Sequence, residues 1–486
     1  MSFQRKARSV IRKYPLAGWK RATLAAATLV GALCASKPAA AEVTIAKGDT
    51  WDAYVAGRVG AFASYTFGQG YPVPKQPDSM IQSGSGTDPE QTRDTIYEYD
   101  AAGMPIKTQQ GKLSKLRVRS GYYPNILTLG ARKTFSPDLK LTAQLSIWGT
   151  IESDDVLLAG ERQVTAANGG RDNGVSADFR EGFLRLEGGW GQIDGGRYIT
   201  FAGRGLTEID VLYAHGYGAG FPMARRDITL PLTGDLSYPG PTTGMVGFGV
   251  MGATQAPGVS YLSPSLSGLR LGLGIFEAAK YGSAGWSRTQ SIRPEAQITY
   301  DLATDGINAH VFVDGGFQTL SQGGGVDSTS IWGATFGGRV EVGPVRVGAG
   351  GFFGKGIGLN YAFDDNESLS SPSTMRAVTS GGTTTMVPSK EIRKQRGFMG
   401  VVQVVLGPVD LHGAFGQTVM MLLPEDEAAS AMISVIKSQT GISAGAVYHL
   451  NESLHLDLDF MNGAYRWYGG ETQGVNVLNA GATVTF

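Results

Sequence analysis

Cysteine is almost absent from the chain. Cys34 is the single cysteine in 486 residues, so everything beyond it is free of disulfide and thiol chemistry. Long apolar runs are also missing. The longest lies near Leu24–Leu33, short of the about 20 residues that a membrane-spanning helix needs. Charge is sparse, at 17% of residues, and 42 basic side chains balance 42 acidic ones. With 42% apolar residues and no net charge, the composition is not that of a disordered chain. Glycine is abundant instead, with 71 residues, roughly twice the usual share. These glycines have no three-residue period, which excludes a collagen helix. Length alone permits several domains or one large β domain. Many short alternating segments rich in Gly, Tyr and Thr favour the second.

The balanced total hides an asymmetry. Residues 1–41 hold eight basic residues and no acid, which leaves 34 basic against 42 acidic residues beyond them, a formal net of −8. This first segment has a basic start, an apolar stretch from Ala22 to Ser36 and the small residues Ala39-Ala40-Ala41 before Glu42. That order is a secretory signal peptide, with cleavage expected after Ala41; an uncleaved amphipathic anchor is the competing reading. A lipoprotein signal at Cys34 is disfavoured, because Leu33 precedes it where a small residue is expected. Residues 42–486 then form one exported domain without disulfides, and a closed sheet is one device that would hold it together.

From Asp52 onward the apolar pattern has period two. Leu141, Ala143, Leu145, Ile147 and Ile151 alternate with Thr142, Gln144, Ser146, Trp148 and Thr150. Leu454, Leu456, Leu458 and Phe460 alternate with His455, Asp457, Asp459 and Met461. Ionisable groups along the alternate face rule out a dry sandwich core there. Lipid outside and water inside explain both faces.

Tight turns supply the strand count. Seven are expected, at Ser136–Asp138, Gly188–Trp190, Ser263–Gly268, Ala303–Gly306, Gly343–Pro344, Gly407–Pro408 and Asn451–Ser453. Seven hairpins plus a first strand near Asp52–Thr66 and a last near Val475–Phe486 make 16 strands. The connections between hairpins are long: Phe67–Lys112, Ser153–Ala177, Thr200–Gly252, Ala278–Ser291, Leu320–Thr329, Lys355–Ile392 and Leu422–Gln439. Short turns on one side and long loops on the other describe an all-β, transmembrane antiparallel β-barrel. An unpaired backbone group in lipid costs several kcal/mol, so the first strand must pair with the last. Tyr300, Tyr448 and Phe486 are placed at a lower aromatic girdle, and Tyr465, Trp467 and Tyr468 at an upper one.

Leu478, Ala480, Ala482, Val484 and Phe486 alternate outward, and the sequence ends at Phe486. Such a last strand resembles the insertion signal of bacterial outer-membrane barrels, read by the barrel assembly machinery. Together with the leader, the strand count and the long third loop, the chain resembles the trimeric, 16-stranded general diffusion porins of Gram-negative bacteria. The resemblance implies outer-membrane localisation, short periplasmic turns, long extracellular loops, a homotrimer and a third loop folded into the lumen. It also implies acidic groups on that loop facing basic groups on the opposite wall.

On that basis the acidic constriction candidates are Glu208, Asp210 and Asp227, and the basic ones Arg58, Arg117, Arg119, Arg132 and Arg185. Alternation puts these arginines on the lumen side, since an arginine facing lipid at midplane costs about 2–4 kcal/mol. Tyr123-Pro124-Asn125 is expected to shift the alternation before Arg132. A competing reading has the arginines pairing with lumenal acids such as Glu181 and Glu187. Arg197 falls on the outward face, which fits either a subunit contact or a register shift. Opposed charges across a narrow pore orient water and bias ion flux.

Other chemistries leave no trace. The five histidines form no H-E-x-x-H motif, and none accompanies a G-x-S-x-G turn. His310, His412 and His455 fall on polar-face positions. Gly354-Lys355-Gly356 lacks the Ser or Thr of a P-loop, and a net of −8 argues against nucleic acid. Asp364–Glu367 and Glu425–Glu427 are loop acids, solvated or bridged by divalent cations. The sequence therefore reads as a porin for passive diffusion of small hydrophilic solutes and ions, with no cofactor, no metal and no catalysis. The alternatives are a substrate-specific outer-membrane channel or receptor and, behind it, a barrel enzyme.

Overall fold

A computed structural model describes residues 42–69, 95–96, 112–120, 125–151, 175–210, 248–279, 286–288, 292–322, 328–358, 362–363, 375–380, 383–388, 392–423, 436–468, 470 and 472–486. The expected leader, Asp227 and both loop acid clusters lie outside the described residues.

The first part of the barrel runs β1 (Val43–Lys47), β2 (Trp51–Gln69), β3 (Thr95–Ile96), β4 (Lys112–Arg119), β5 (Asn125–Ser136), β6 (Leu139–Ile151), β7 (Val175–Gly188) and β8 (Gly191–Ile199). A short helix, α1 (Arg204–Ile209), follows. Then come β9 (Gln255–Leu262), β10 (Leu269–Glu277), β11 (Trp286–Arg288), β12 (Ile292–Thr304), β13 (Ile307–Gln322), β14 (Ser328–Val342) and β15 (Val345–Lys355). β16 (Met375–Ser380) and β17 (Thr383–Pro388) make a separate hairpin. β18 (Lys394–Leu406), β19 (Val409–Met420), β20 (Ile436–His449), β21 (Leu454–Trp467) and β22 (Thr472–Thr485) complete the wall.

Each wall strand pairs antiparallel with its neighbours, and β22 pairs back onto β2 from Arg58↔Thr485 to Gly68↔Val475. Twenty strands join this sheet. β1, β3 and β11 are short additions, and β4 and β5 are two halves of one wall strand, so the closed wall has sixteen. All seven expected tight turns separate consecutive wall strands. At the last, Asn451 Oδ1 accepts the N–H groups of Ser453 and Leu454, both at 2.9 Å, so a side chain sets the turn.

The two faces sort as alternation requires. Leu271, Leu273 and Ile275 of β10 are exposed outward, whereas Arg293, Glu295, Gln297 and Thr299 of β12 are buried on the inner face. On these strands the outer face is apolar and the inner face polar, which suits a bilayer around a hydrated interior.

Two irregularities matter for the lumen. β2 pairs with β5 up to Arg58↔Ile126 and with β4 from Phe62↔Arg119, so six residues of sequence separate the two pairings on one side and only three on the β2 side. The insertion is odd in length, and the alternation reverses across it. Asn125 Oδ1 accepts the Gly60 N–H at 2.7 Å, replacing a ladder bond that the insertion removes. In β7, Ser146 pairs with Glu181 and Ile147 with Phe179, leaving Arg180 as a bulge residue.

The termini close the wall. Gly57 N donates to Phe486 O at 2.5 Å and Phe486 N donates to Gly57 O at 2.9 Å. β1 pairs with β2 just below, continuing the line of β22. Tyr300 and Tyr448 are exposed on the outside at the short-turn end, as a girdle requires. Tyr465 is not in the upper girdle. It shares parity with His455 and Asp457, faces inward and is 1% exposed. Tyr468 caps the upper rim instead, donating to Met420 O at 2.8 Å.

Candidate functional site: the lumen and its inward loop

After β8 the chain turns into the barrel, and residues 200–210 lie against the inner faces of β12 to β15. Gly203, the residue before α1, has φ +84°, which favours glycine, and it offers no side-chain cap. The unpaired N–H groups at this helix start are met by the wall instead. Gly203 N and Gly205 N each donate to Asp314 of β13 at 2.8 Å, one to each carboxylate oxygen. Thr335 of β14 donates to the same carboxylate at 2.6 Å. Ala202 N donates to Glu295 Oε2 at 2.8 Å, and Arg293 holds the other oxygen at 2.7 Å. Two buried wall carboxyls thus take three backbone N–H groups of the loop, which makes a firm anchor.

Apolar packing reinforces it. Leu206 and Ile209 are fully buried among inward residues that include Phe312, Phe352 and Val401. Gly205 lies so close to the Phe312 ring that no Cβ fits between them.

The returning end of the loop grips a different wall. Gly249 N donates to Thr418 of β19 at 2.9 Å, and the Phe248 ring packs 5.9 Å from that of Tyr465 of β21. Ala253 N donates to Thr207 Oγ1 at 3.3 Å, tying the two ends together. Residues 211–247, with Asp227, His215 and Arg225-Arg226, lie outside the described residues.

The expected acids on α1 are in the lumen. Glu208 sits with its carboxylate 3.7 Å from His310 Nε2, and its backbone oxygen accepts from Arg339 at 3.0 Å. Asp210 caps the helix C-terminus and is 1% exposed. Arg339 and Arg346 both reach Glu341, at 3.1 and 3.7 Å, below the helix.

The expected bases divide. Arg58 of β2 faces inward and donates to Thr483 at 3.4 Å. Arg117 and Arg119 of β4 stand in register with Ser64 and Phe62, both inward residues of β2. Arg132 lies near the short-turn end, paired with Glu42 and stacked 4.1 Å from the Tyr54 ring centroid. Arg185 makes a two-point contact with Asp194, at 2.7 and 3.0 Å, and Gln192 joins it at 2.7 Å. Neither Glu181 nor Glu187 is its partner in that contact. Arg197 is outward in an unbroken β8 register, and its Nε donates to Arg180 O at 3.1 Å, so no register shift is present.

In a closed wall of sixteen, β14 lies eight strands from the wall strand made by β4 and β5. The helix that carries Glu208 is thus seated diametrically opposite Arg117 and Arg119. Sequence reasoning missed Asp314, Glu295, Arg339 and Arg180. The parity of Val311-Phe312-Val313-Asp314 places Asp314 inward, but nothing local marks it as the loop's anchor.

The fold is a closed antiparallel β-barrel of sixteen wall strands, with a segment that enters the lumen after the fifth of them. Among solved structures, the chain is similar to the outer membrane channel DcaP of Acinetobacter baumannii, at 13% identity and TM-score 0.56, over 91% of this chain and 100% of that one. It is also similar to OmpF of Salmonella typhi in complex with daunomycin, at 12% identity, TM-score 0.45 and coverage of 92% and 100%. OmpT, an outer membrane protein of Vibrio cholerae, matches at 10% identity, TM-score 0.44 and coverage of 91% and 100%. The DcaP likeness establishes the fold; the other two are too loose to argue from. No protein-family model matches the sequence, and no curated protein does either.

Proposed function

We propose that this chain is an outer-membrane porin through which small hydrophilic solutes and ions diffuse passively. In this reading residues 1–41 are the secretory leader, Phe486 ends the strand read by the assembly machinery, and the mature protein is a homotrimer in outer-membrane lipid. Glu208 and Asp210 supply the acidic side of the constriction, and Arg58, Arg117 and Arg119 the basic side. Arg132 and Arg185 brace the wall near its base. No catalysis and no cofactor take part.

The observation that carries this reading is the inward loop, anchored on one wall of a closed barrel, with arginine positions on the wall opposite. A loop so held narrows a lumen without any moving part. Its fixed charges orient water and polar solutes, while apolar solutes must break that order.

The test is swelling of proteoliposomes in neutral sugars of increasing size. A general porin gives rates that fall smoothly from pentose to trisaccharide. A single solute that permeates out of order, and blocks the current of others, would transfer the assignment to a substrate-specific channel. No swelling by folded, inserted protein would sink both.

A further inference from the structure

The inner wall at the short-turn end carries a histidine pair that the diffusion mechanism does not use. His449, the last residue of β20, and His455 of β21 stand directly opposite each other in the antiparallel register. Their Nδ1 atoms are 2.7 Å apart, and their rings meet edge to face with centroids 4.6 Å apart. On its other side, His449 Nε2 lies 2.9 Å from Asp410 Oδ2. Gln403 donates to the same oxygen at 3.1 Å. The turn between the strands is set by Asn451, so the pair is presented by rigid backbone.

We propose that His449 and His455 form a two-imidazole site for a divalent first-row transition metal, Cu²⁺ or Zn²⁺, at the periplasmic mouth of the barrel. The protonation pattern fits. With Nε2–H of His449 donating to Asp410, its Nδ1 presents a lone pair, and the short contact then requires the proton on His455 Nδ1. Moving that proton to His455 Nε2 frees a second lone pair facing the first, with no net proton release. Asp410 then acts as the outer carboxylate that fixes the ring and raises its basicity. Metal–nitrogen bonds are about 2.0–2.1 Å, so tetrahedral ligand nitrogens stand about 3.3 Å apart, and small ring rotations open the pair that far. Imidazole nitrogen suits copper and zinc.

The surroundings favour a cation. Asp410 and Asp457 are the nearby acids, against Arg58, which reaches Thr483 beside the pair. The His449 side chain is 29% exposed, which leaves room for water ligands. Among the described residues no group of three or more His, Cys, Asp or Glu surrounds one metal position, so water must complete the shell.

The experiment uses the folded, untagged protein in detergent, titrated with Cu²⁺ and followed by electron paramagnetic resonance. This readout needs no conduction, so it stands apart from the porin reading. One saturable site with coupling to imidazole nitrogens is expected, displaced by Zn²⁺. His449→Gln and His455→Gln, made separately and shown to be folded by heat-dependent gel mobility, should each weaken binding at least tenfold. Asp410→Asn should weaken it by about tenfold while keeping the nitrogen coupling. Wild-type protein without imidazole-bound copper, or binding unchanged in either folded histidine variant, would overturn the proposal.

Discussion

The two sides of the lumen are built for different tasks. The wall from β12 to β15 spends its inward residues on the loop. Asp314 and Glu295 accept backbone N–H groups from residues 202 to 205, and Phe312 and Phe352 pack with Leu206 and Ile209. The wall from β2 to β8 carries arginines that are held by nearby carboxylates, as Arg185 is by Asp194 and Arg132 by Glu42. One side holds a foreign segment, and the other holds its own charges in place. The contrast teaches that an inward carboxylate can be an anchor rather than part of a field, and that parity alone does not tell the two apart.

Removing the anchor should give the largest effect. Asp314→Ala strips acceptors from two backbone N–H groups and from Thr335. Leaving each such buried group unpaired costs about 1–3 kcal/mol. The loop should leave its seat, seen as a rise in single-channel conductance and as new protease cleavage near residue 205. Breaking the opposite wall should act on stability alone. Arg185→Ala leaves Asp194 buried without its cation, a loss of about 3–5 kcal/mol that should lower the unfolding midpoint with conductance unchanged. Replacing both partners by leucine should recover much of that loss.

A smaller effect is expected at Gly205. An alanine there meets the Phe312 ring, and overpacking of this kind costs about 1–3 kcal/mol. Conductance should shift in the same direction as in Asp314→Ala, but less. The smallest effects concern selectivity. Under a KCl gradient, Glu208→Gln should move the reversal potential towards chloride and Arg58→Gln towards potassium, each by on the order of a few millivolts. Shifts of the same sign in both would show that the two groups do not act as opposing charges in one path.

Much of this was legible in the sequence because alternation and turn chemistry are local. Pairs such as Gly343-Pro344 and Gly407-Pro408 mark their hairpins directly, and parity alone turns Arg58 and Arg185 inward. What escaped depends on distant contacts or on a choice between local rules. The aromatic neighbours Trp467 and Tyr468 draw Tyr465 toward a girdle, whereas its odd number in a strand with inward Asp457 and Asp459 turns it to the lumen. Arg132 meets Glu42 across 90 residues of sequence, and Asp314 meets Gly203 across 111, and no pattern in either segment announces the partner. The odd insertion before Asn125 was visible as a Pro-containing interruption, but its length followed only from the pairings of β2 on either side.

The most direct measurement is single-channel conductance of the refolded mature protein in a planar bilayer, wild type beside Asp314→Ala. A porin narrowed by an anchored loop should give large open steps that close in thirds, with larger and noisier steps once the anchor is removed. Folded, inserted wild-type protein that gives no steps would contradict the channel, and equal steps in both proteins would contradict the loop as its constriction.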